Sequence, residues 1–324
     1  MKILVVGGAG YIGSFVTMRL LESGHNPVVI DNLSTGNRAS VSSAVAFYEG
    51  DIGDKEFVQK IFRTEAIELV MHLAAKISVP ESISHPEIYY RNNVANVLVL
   101  LDEIRKSGCN KFIFSSTAAV YGNPVYLPVD EKHTLNPINP YGRSKIMLET
   151  ILEDYAMAFG LRCVIFRYFN AAGGAIDGMM GESQMVKQNL IPIALDNLEH
   201  GRPTTIFGSD YSTKDGTCVR DFIHISDIAE AHIKAIKFLD DFSGLDVFNL
   251  GSEKGTSVKE VLDAISRVSN RRMDITVSGR RPGDPEILFT SNAKAKAKLG
   301  WEPVNSDIET IVHSAYQWCL NRRY

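Results

Sequence analysis

The sequence has few cysteines and no excess of charge of either sign, and both absences narrow the class of protein. Four cysteines occur among 324 residues, far apart and without C-x-x-C spacing. This pattern favours reduced thiols in a cytosol over a disulfide framework or a zinc site. The eight histidines include no H-E-x-x-H pair, so no metal site is expected. The 34 basic and 38 acidic residues nearly balance, which argues against a nucleic-acid partner.

Long hydrophobic runs are also missing. No stretch approaches the ~20 apolar residues that span a bilayer, so no membrane contact is expected. The apolar run Ile3–Val6 ends at Gly7 after four residues, which is shorter than the roughly 7–15 residues of an export-signal core. We therefore expect a cytoplasmic protein. Hydrophobic residues still make up 45% of the chain, and its length predicts about two domains at roughly 150 residues each.

Short β-branched runs alternate with helical patterns through the first half of the chain. The predicted strands are Ile3–Val6, Pro27–Asp31, Val45–Tyr48, Glu68–Leu73, Lys111–Ser115 and Cys163–Phe166. They are continuous apolar runs, which are typical of a parallel sheet covered on both faces. The helical stretches between them include Tyr11–Ser23, Lys55–Thr64, Pro86–Lys106 and Tyr141–Phe159. This alternation predicts an α/β fold with a doubly wound, parallel Rossmann-type sheet.

The composition changes after residue 170. The segment Ala171–Gly216 is richer in Gly, Pro, Asn and Asp, and predicts loops around one helix near Asn189–His200. A helical pattern returns over Arg220–Leu239, while the Ala and Lys alternation of Ala293–Lys298 indicates a solvated helix face. We therefore expect a cofactor-binding domain over residues 1–170 with a returning segment near 217–240. An interleaved, smaller α/β domain for the substrate would cover residues 171–324.

A glycine-rich turn links the first strand to the first helix. Gly7, Gly10 and Gly13 form G-x-x-G-x-x-G there, which lets backbone amides approach a pyrophosphate at the positive end of the helix. Asp31 follows at the end of the second strand, where its carboxylate can bind an adenosine ribose and would repel a 2′-phosphate. The sequence therefore predicts NAD rather than NADP. Asp51, at the end of the third strand, could meet the adenine or cap a helix.

Tyr141 and Lys145 are four residues apart near the start of a predicted helix, so both lie on one face. A phenol with a pKa near 10 is a poor base at neutral pH. An ammonium about 4 Å away, at an effective dielectric near 20, contributes about 4 kcal/mol, or roughly three pKa units. The pair predicts a tyrosinate that accepts a proton from a sugar or alcohol hydroxyl. An amphipathic helix also explains the spacing, but the glycine turn and the hydroxyl-rich run Ser115–Thr117 favour the chemistry.

Ten motifs together resemble the UDP-glucose (UDP-galactose) 4-epimerases, a family in the extended, nucleotide-sugar branch of the short-chain dehydrogenases. They run through nearly the whole chain in order: GGAGYIG at 7–13, DNL at 31–33, FSSTAAVYG at 114–122, YGRSK at 141–145, RYFNAAG at 167–173, MGE at 180–182, NLIP at 189–192, GTCVRDFIH at 216–224, FNLGS at 248–252 and RRPGD at 280–284. The resemblance implies NAD-dependent 4-epimerisation of a UDP-hexose, UDP-galactose to UDP-glucose. It also implies a homodimer through the helices Pro86–Lys106 and Tyr141–Phe159.

The resemblance further implies roles for individual residues. Tyr141, supported by Lys145, would take the proton of the sugar O4 as the C4 hydride passes to NAD+, and Thr117 would hydrogen-bond O4. The 4-keto sugar, held by its UDP, would turn over and take the hydride back on its other face. The implied NAD-binding residues are Gly7, Gly10, Tyr11, Ile12, Gly13, Asp31, Asn32, Asp51, Ile52, Leu73, Ala74, Ala75, Asn92, Ser115, Tyr141, Lys145 and Tyr168. The implied UDP-sugar-binding residues are Thr117, Tyr141, Asn170, Asn189, Arg220, Arg281, Asp284 and Leu288. Among these, the two arginines would clamp the diphosphate and the aspartate would hold the uridine ribose.

The chain departs from the family pattern at two places. Aligned on His72, it has Ile77 where the family often has a lysine against the cofactor phosphates, and its Lys76 lies one residue earlier. Leu288 stands four residues after Asp284, where a tyrosine often excludes N-acetyl sugars and a small residue admits them. Leucine is between the two, so a UDP-N-acetylglucosamine 4-epimerase stays an alternative.

Other functions stay open at this point. A dehydratase of the same branch needs an acidic pair after the threonine, whereas Ala118 and Ala119 follow Thr117, so elimination lacks its proton donor. A uronate epimerase or decarboxylase would need an extra cation for the sugar carboxylate, and no clear one is visible. A non-catalytic NAD sensor would need the glycine turn but neither Tyr141 nor Lys145.

Overall fold

Three β-sheets organise the computed structural model, which describes residues 1–183, 187–281 and 285–324. In chain order the strands are β1 (Lys2–Val6), β2 (Asn26–Asp31), β3 (Ala46–Glu49), β4 (Leu69–His72), β5 (Lys111–Thr117), β6 (Arg162–Tyr168), β7 (Asn170–Ala172), β8 (Thr204–Phe207), β9 (Val219–His224), β10 (Leu245–Leu250), β11 (Gly255–Ser257), β12 (Ile275–Ser278) and β13 (Ile287–Leu288). The largest sheet has seven strands in the order β10-β6-β5-β4-β1-β2-β3, and each neighbouring pair is parallel. The predicted doubly wound, parallel sheet is confirmed.

Helices cover both faces of this sheet and build the smaller unit. They are α1 (Tyr11–Glu22), α2 (Lys55–Thr64), α3 (Val79–Ser84), α4 (Pro86–Tyr90), α5 (Asn96–Ser107), α6 (Pro140–Phe159), α7 (Leu190–Glu199), α8 (Ile225–Asp241), α9 (Val258–Ser269), α10 (Ala293–Leu299) and α11 (Ile308–Leu320). A π-helical turn, Arg91–Ala95, joins α4 to α5 within the predicted helix Pro86–Lys106. Within the described ranges, none of these helices is both long and apolar enough to cross a membrane.

The apolar runs of the strands explain why helices cover the sheet on both faces. Successive side chains of a strand point to opposite faces. Ile3 and Val5 of β1 belong to a core cluster with side chains of α1 and α8. Leu4 and Val6 belong to a second cluster with side chains of α2, α5 and α6. Because both faces of β1 are buried, its residues are apolar throughout and do not alternate with polar ones.

The smaller unit lies beyond the carboxyl end of β6. Here β7 pairs with β9, which also pairs with β11 and β13, and β8 pairs with β12. Helices α7, α9 and α11 pack together over a third core cluster that includes Leu195, Leu262 and Ile311. The chain passes from the large sheet to the small one between β6 and β7. It returns to the large sheet through α8 and β10, so the two units share the chain in alternating pieces.

One expected helix differs from the structure. The expected helix over Arg220–Leu239 is wrong in its first part, because Val219–His224 is a strand that finds a parallel partner in β7. Helix α8 begins only at Ile225, where His224 Nδ1 accepts a hydrogen bond from the backbone N–H of Ser226 at 3.1 Å. The solvated helix face expected for Ala293–Lys298 is present on α10, where only Ala295 of that run is fully buried.

The large sheet also gains a strand beyond the expected returning segment near 217–240. Leu245–Leu250 pairs in parallel with β6 over its whole length and forms the edge of the sheet. In the segment Ala171–Gly216, expected to be loops around one helix, β7 and β8 add short strands, while the helix itself is present as α7. Asn189 stands at the N-cap of that helix and His200 at its C-cap.

Candidate active site

The glycine turn between β1 and α1 has room for nothing larger than glycine. Gly7 has φ of 82°, and a Cβ on it would lie 2.7 Å from the backbone nitrogen of Ala74. A Cβ on Gly13 would lie 2.0 Å from the carbonyl oxygen of Gly7. Gly10 is the N-cap of α1 and no side chain caps the helix. The first amides of α1 are therefore left for an anion at the positive end of the helix.

The side chains that follow Gly10 connect this turn to the smaller unit. The Tyr11 hydroxyl donates a hydrogen bond to the carbonyl oxygen of Gly173 at 2.6 Å. Burial and, next, the charge of Glu182 raise the pKa of Tyr11 well above its usual value, so the hydroxyl stays protonated. Ile12 packs against the core under α1. The turn is thus fixed from both units.

Asp31 ends β2 directly beside the glycine turn. Its Oδ2 accepts a hydrogen bond from the backbone N–H of Ala9 at 2.9 Å, and its Oδ1 accepts one from Leu33 N–H at 2.9 Å. Burial raises the pKa of the carboxyl, and these backbone donors lower it. The hydrogen bonds fix a carboxylate at the end of the strand, as binding of a ribose hydroxyl requires.

A second acid, Asp51, lies next to this group at the end of β3. Its Oδ2 accepts a hydrogen bond from Asn32 Nδ2 at 2.9 Å, and its Oδ1 accepts from Gly53 N–H at 2.8 Å and from Asn96 Nδ2 at 3.0 Å. Ile52 beside it is buried. These contacts bring the predicted residues Asn32, Asp51 and Ile52 together at one edge of the sheet.

The segment after β4 forms the other wall of the glycine turn. Leu73 N–H donates to the carbonyl oxygen of Val6 at 2.9 Å, and Ala74 lies against Gly7. Ala75 follows, and the next residue, Lys76, has its backbone N–H and carbonyl bound by the side chain of Asn93 at 2.9 and 3.0 Å.

The π-helical turn brings two asparagines to this wall. The predicted Asn92 donates to Asn93 Oδ1 at 2.8 Å, and Asn93 Nδ2 also reaches Ser144 Oγ at 3.1 Å. Asn93 therefore joins the wall of the glycine turn to helix α6, beside Asn92, to which the resemblance assigns NAD binding. At the place of the family's lysine, Ile77 is 43% exposed.

Tyr141 and Thr117 come together where β5 ends and α6 begins. Asn139 caps α6 by accepting a hydrogen bond from Gly142 N–H at 2.9 Å, and Pro140 occupies its first turn. This places Tyr141 at the first turn of α6, where the Thr117 side chain lies close enough to lower the pKa of the phenol. Its ring packs edge-on against Tyr89, with ring centroids 6.4 Å apart.

Lys145 lies one turn further along α6 and is almost completely buried. Its Nζ donates a hydrogen bond to the carbonyl oxygen of the predicted Ser115 at 2.7 Å and lies 4.8 Å from the centre of the Phe114 ring. Burial lowers the pKa of Lys145 to about 7, and the negative charge of Glu149 opposes that shift.

The expected lowering of the Tyr141 pKa by Lys145 is wrong for the protein on its own. Burial is the largest effect and raises the pKa of the Tyr141 phenol, while the Thr117 side chain lowers it. Burial disfavours both the ammonium and the phenolate, and this effect exceeds the attraction expected at an effective dielectric near 20. The protein alone therefore holds the phenol protonated at neutral pH.

Tyr168 closes the buried side of this group. It lies opposite Thr117 in the register of β5 and β6. Its hydroxyl is 2.8 Å from His232 Nε2 and also forms a hydrogen bond with Ser115. Burial raises the pKa of the phenol above its usual range. Tyr168 is thus a neutral group that supports the strand end.

A cavity of about 420 Å³ opens beside this strand end, within the smaller unit. It is lined by the predicted residues Asn170, Asn189, Arg220 and Arg281. Asn170 Nδ2 donates to the carbonyl oxygen of Asp221 at 2.8 Å, and the Arg281 guanidinium lies 3.6 Å from the centre of the Phe207 ring. Two guanidinium groups with amides and an aromatic ring suit a nucleoside diphosphate.

The remaining predicted residues lie at the rim of the described site. Leu288 of β13 pairs with Arg220 of β9 and packs against the cluster of Val120, Tyr121 and Val129. Asp284 lies outside the described residues. Thr117, Tyr141 and Leu288 are not among the described residues that line the cavity. Leu288 pairs with the cavity residue Arg220, and Thr117 pairs with Tyr168, which precedes the cavity residue Asn170 by two positions.

Two residues in the cavity were not assigned a role from sequence. Glu182 accepts a hydrogen bond from Asn189 Nδ2 at 3.2 Å, and burial raises the pKa of its carboxyl to about 7. Phe207 stacks under Arg281. The M-G-E motif indicated the acid, but nothing in the motif shows that it is buried. No signal marks Phe207, since one apolar residue of a short strand looks like core.

The assembled site has a glycine turn with an acid at the next strand end, a half-buried Tyr141 before the buried Lys145, and a basic cavity. The chain matches the model of the NAD dependent epimerase/dehydratase family over residues 3–251. The chain belongs to this family. The resemblance stated from the motifs is confirmed, and the glycine turn, Tyr141 and Lys145 all lie within the matched residues of this epimerase/dehydratase.

This family member is similar over nearly its whole length to several UDP-glucose 4-epimerases. The UDP-glucose 4-epimerase of Azospirillum brasilense is 45% identical over 318 residues, which are 98% of this chain and 91% of the relative. The crystal structure of UDP-glucose 4-epimerase from Brucella ovis in complex with NAD has a TM-score of 0.94 at 44% identity, covering 97% of each chain. The UDP-Glc/GlcNAc 4-epimerase of Campylobacter jejuni has a TM-score of 0.86 at 42% identity, covering 99% of each.

Proposed function

We propose that this chain is an NAD-dependent isomerase that interconverts UDP-galactose and UDP-glucose by epimerisation at C4. The observation that carries the proposal is the position of Tyr141 in the first turn of α6, beside Thr117 at the end of β5 and one helical turn before the buried Lys145. A phenol, a hydroxyl and an ammonium in this arrangement can move a proton at a sugar hydroxyl. The relatives named UDP-glucose 4-epimerase support the choice of substrate.

NAD fits the half of the site around the glycine turn. Gly7 and Gly13 leave no space for a Cβ, and α1 has no side-chain cap, so the turn would hold the pyrophosphate against backbone amides. Asp31 would bind the adenosine ribose, with Asp51 nearby for the adenine. Bound NAD+ would supply the hydride acceptor for C4 and a positive charge near the phenol. That charge favours ionisation of Tyr141, which burial alone opposes.

The proton would move through Tyr141. Its phenolate would accept the proton of the sugar O4, and Thr117 would hold O4 within reach of it. Lys145, held by the Ser115 carbonyl, would stabilise the phenolate while charged. The same phenol would return the proton once the 4-keto sugar has turned over. These three residues are proposed as the catalytic group.

The cavity of the smaller unit would hold the UDP portion. Arg220 and Arg281 would bind the diphosphate, and Asn170 and Asn189 would contact the UDP-sugar. An anchored nucleotide lets the 4-keto sugar rotate without leaving the site. The larger unit would thus serve the cofactor and the smaller one the substrate.

Two neighbouring activities are alternatives. A UDP-N-acetylglucosamine 4-epimerase is supported by the likeness to the Campylobacter jejuni enzyme and by Leu288, which is smaller than tyrosine. A dehydratase is disfavoured, because Thr117 is followed by Ala118 and Ala119 in a buried 3₁₀ turn that offers no acid.

We also propose a homodimer through α5 and α6. Apolar side chains remain exposed on these helices: Leu98 is 38% exposed, Met147 45% and Met157 74%. Contact with a second copy of the chain would bury these side chains. Light scattering coupled to gel filtration should give twice the chain mass, and Met147→Glu should shift it toward the monomer. A wild-type protein that elutes as a monomer would contradict the dimer.

The central test is NMR of UDP-galactose incubated with the purified protein and no added cofactor. Signals of UDP-glucose should appear, and the same mixture should form from UDP-glucose. Tyr141→Phe with its NAD content measured is the control for contaminating activity. Conversion of UDP-N-acetylgalactosamine alone would favour the first alternative, and loss of water from the sugar would favour the dehydratase.

A further inference from the structure

A buried ion pair lies directly behind the proposed catalytic helix. Glu149 of α6 and Arg167 of β6 are 8% and 3% exposed. Arg167 Nη2 donates to Glu149 Oε2 at 2.5 Å and its Nε donates to Oε1 at 3.1 Å. The guanidinium continues to the Tyr121 hydroxyl at 2.9 Å, which donates to Asn249 Oδ1 at 2.6 Å. The carboxylate is held rigidly by this chain of contacts.

The same strand end holds both Glu149 and Lys145. Ser116 Oγ donates to Glu149 Oε1 at 2.5 Å, and the carbonyl oxygen of the preceding Ser115 accepts the hydrogen bond of Lys145 Nζ at 2.7 Å. Glu149 follows Lys145 by four residues on α6, so the two side chains lie on one helical face. The carboxylate is therefore adjacent to the ammonium, and both are fixed to β5.

Stability alone does not account for a buried ion pair at this place. Removing two charges from water costs several kcal/mol per ion, and an apolar pair of similar volume is often as stable. Here the carboxylate has a second partner in the nearby ammonium, and its charge raises the pKa of Lys145 against the effect of burial. The ion pair of Glu149 and Arg167 thus stabilises the charged form of Lys145, which burial against the sheet would otherwise disfavour.

In the part of the chain that the structure describes, the other groups that face Lys145 carry no negative charge. On its own helix it faces Tyr141 as well as Glu149, and from β5 it meets the Phe114 ring and the Ser115 carbonyl. From β4, His72 is buried with its pKa lowered to about 3 by burial, with the charge of Lys145 as a smaller cause, so it is neutral. On β6, Tyr168 is a protonated phenol and Arg167 is a cation.

We propose that Glu149 is a positioning residue that supplies the counter-charge of Lys145 and so keeps the ammonium available beside Tyr141. The inference rests on the proposed function for its catalytic consequence. Arg167 and Ser116 hold the carboxylate, and the carboxylate holds the charge of Lys145. Glu149 touches neither substrate nor cofactor in this proposal.

The test measures the ionisation of Lys145 directly. Purified protein labelled with [ε-¹³C]lysine is titrated by NMR, and the Lys145 signal is identified by its absence from Lys145→Met. Glu149→Gln keeps the shape and removes the charge, so the Lys145 titration midpoint should fall by about one unit or more. Glu153→Gln removes an exposed acid from the same helix and should leave the midpoint unchanged.

Steady-state kinetics with UDP-galactose give the second readout. In Glu149→Gln the alkaline fall of kcat should begin about one unit lower, with KM changed less than about twofold. Because Glu149→Gln leaves the Arg167 guanidinium without its counter-charge, the double variant Glu149→Met with Arg167→Met serves as the variant that is expected to fold. Its Lys145 midpoint should also fall, but by less than in Glu149→Gln, since it loses the Arg167 cation together with the carboxylate.

An unchanged Lys145 midpoint in either folded variant overturns the inference, as does a loss of kcat that is equal at all pH values. Wild-type protein that lacks activity on UDP-galactose contradicts the proposed function instead. The NMR midpoint decides between a positioning and a merely structural role of Glu149 in that case as well.

Discussion

Lys145→Met should make the protein more stable while it removes activity. Burial lowers the pKa of Lys145 from 10.5 to about 7, so the folded state holds the charged form at a cost. At 1.36 kcal/mol per pKa unit, that cost is about 5 kcal/mol where both states are protonated. Methionine fills similar volume without the charge. The loss of the hydrogen bond to the Ser115 carbonyl offsets about 1–3 kcal/mol of the gain.

The gain should depend on pH in a defined direction. Below pH 7 the lysine is charged in the folded and the unfolded chain, and the full cost applies. Between the folded pKa of about 7 and the unfolded value of 10.5, the unfolded chain binds more protons, so wild-type stability rises with pH. The cost is about 5 kcal/mol at pH 6 and about 2 kcal/mol at pH 9. The advantage of Lys145→Met should shrink by about 3 kcal/mol between the two.

Urea unfolding of nucleotide-free protein at pH 6 and pH 9 measures this difference. Nucleotide must be absent because a ligand bound to the folded state adds its own stability. Lys132→Met, at an exposed lysine, is the matched control and should show no pH-dependent advantage. A Lys145→Met variant that is equally stabilised at both pH values, or is destabilised at pH 6, would contradict the free-energy cost assigned to the buried charge of Lys145.

Three further predictions concern activity and ligand choice. Tyr141→Phe should lower kcat by about 10²–10⁴ with NAD still bound, because it removes the proton acceptor and leaves the glycine turn intact; near-normal turnover would exclude Tyr141 as the base. Nucleotide extracted from the purified protein should be NAD, since the Asp31 carboxylate would repel a 2′-phosphate; mainly NADP on chromatography would contradict this. Activity on UDP-galactose should exceed a weaker activity on UDP-N-acetylgalactosamine, because Leu288 is intermediate in size, and the ratio of kcat/KM values decides it.

The sequence predicts the inner strands of the large sheet well because they are buried on both faces. In continuous apolar runs such as Ile3–Val6 and Cys163–Phe166, the prediction errs by only a few residues, at the strand ends. The glycine turn is also predictable, because its motif lies within a single strand–turn–helix segment. Strand β9 was harder to predict, because its six residues lead into α8 without a break in the sequence. Its strand conformation depends on β7, which lies about fifty residues earlier in the chain.

The pKa shifts of Tyr141 and Lys145 could not be predicted from the spacing of these residues in the sequence. The four-residue separation of Tyr141 and Lys145 indicates a shared helical face, but not that Lys145 is buried and Tyr141 half-buried. Desolvation comes from β4, β5 and β6, whose packing around α6 is a property of the whole sheet. The charge that counters it comes from Glu149, which an amphipathic helix pattern shows only as one more acid.

The passage of the chain between the two sheets limits how the protein can be divided. A fragment that ends near residue 170 would contain the glycine turn, Tyr141 and Lys145, yet it would lack β10. Strand β6, now the sheet's last member, would present a row of unpaired backbone amides and carbonyls to solvent, the feature that recruits strands from other molecules. Such a fragment should precipitate rather than bind nucleotide. It could evolve into an independent domain only if another segment came to cover the exposed edge of β6.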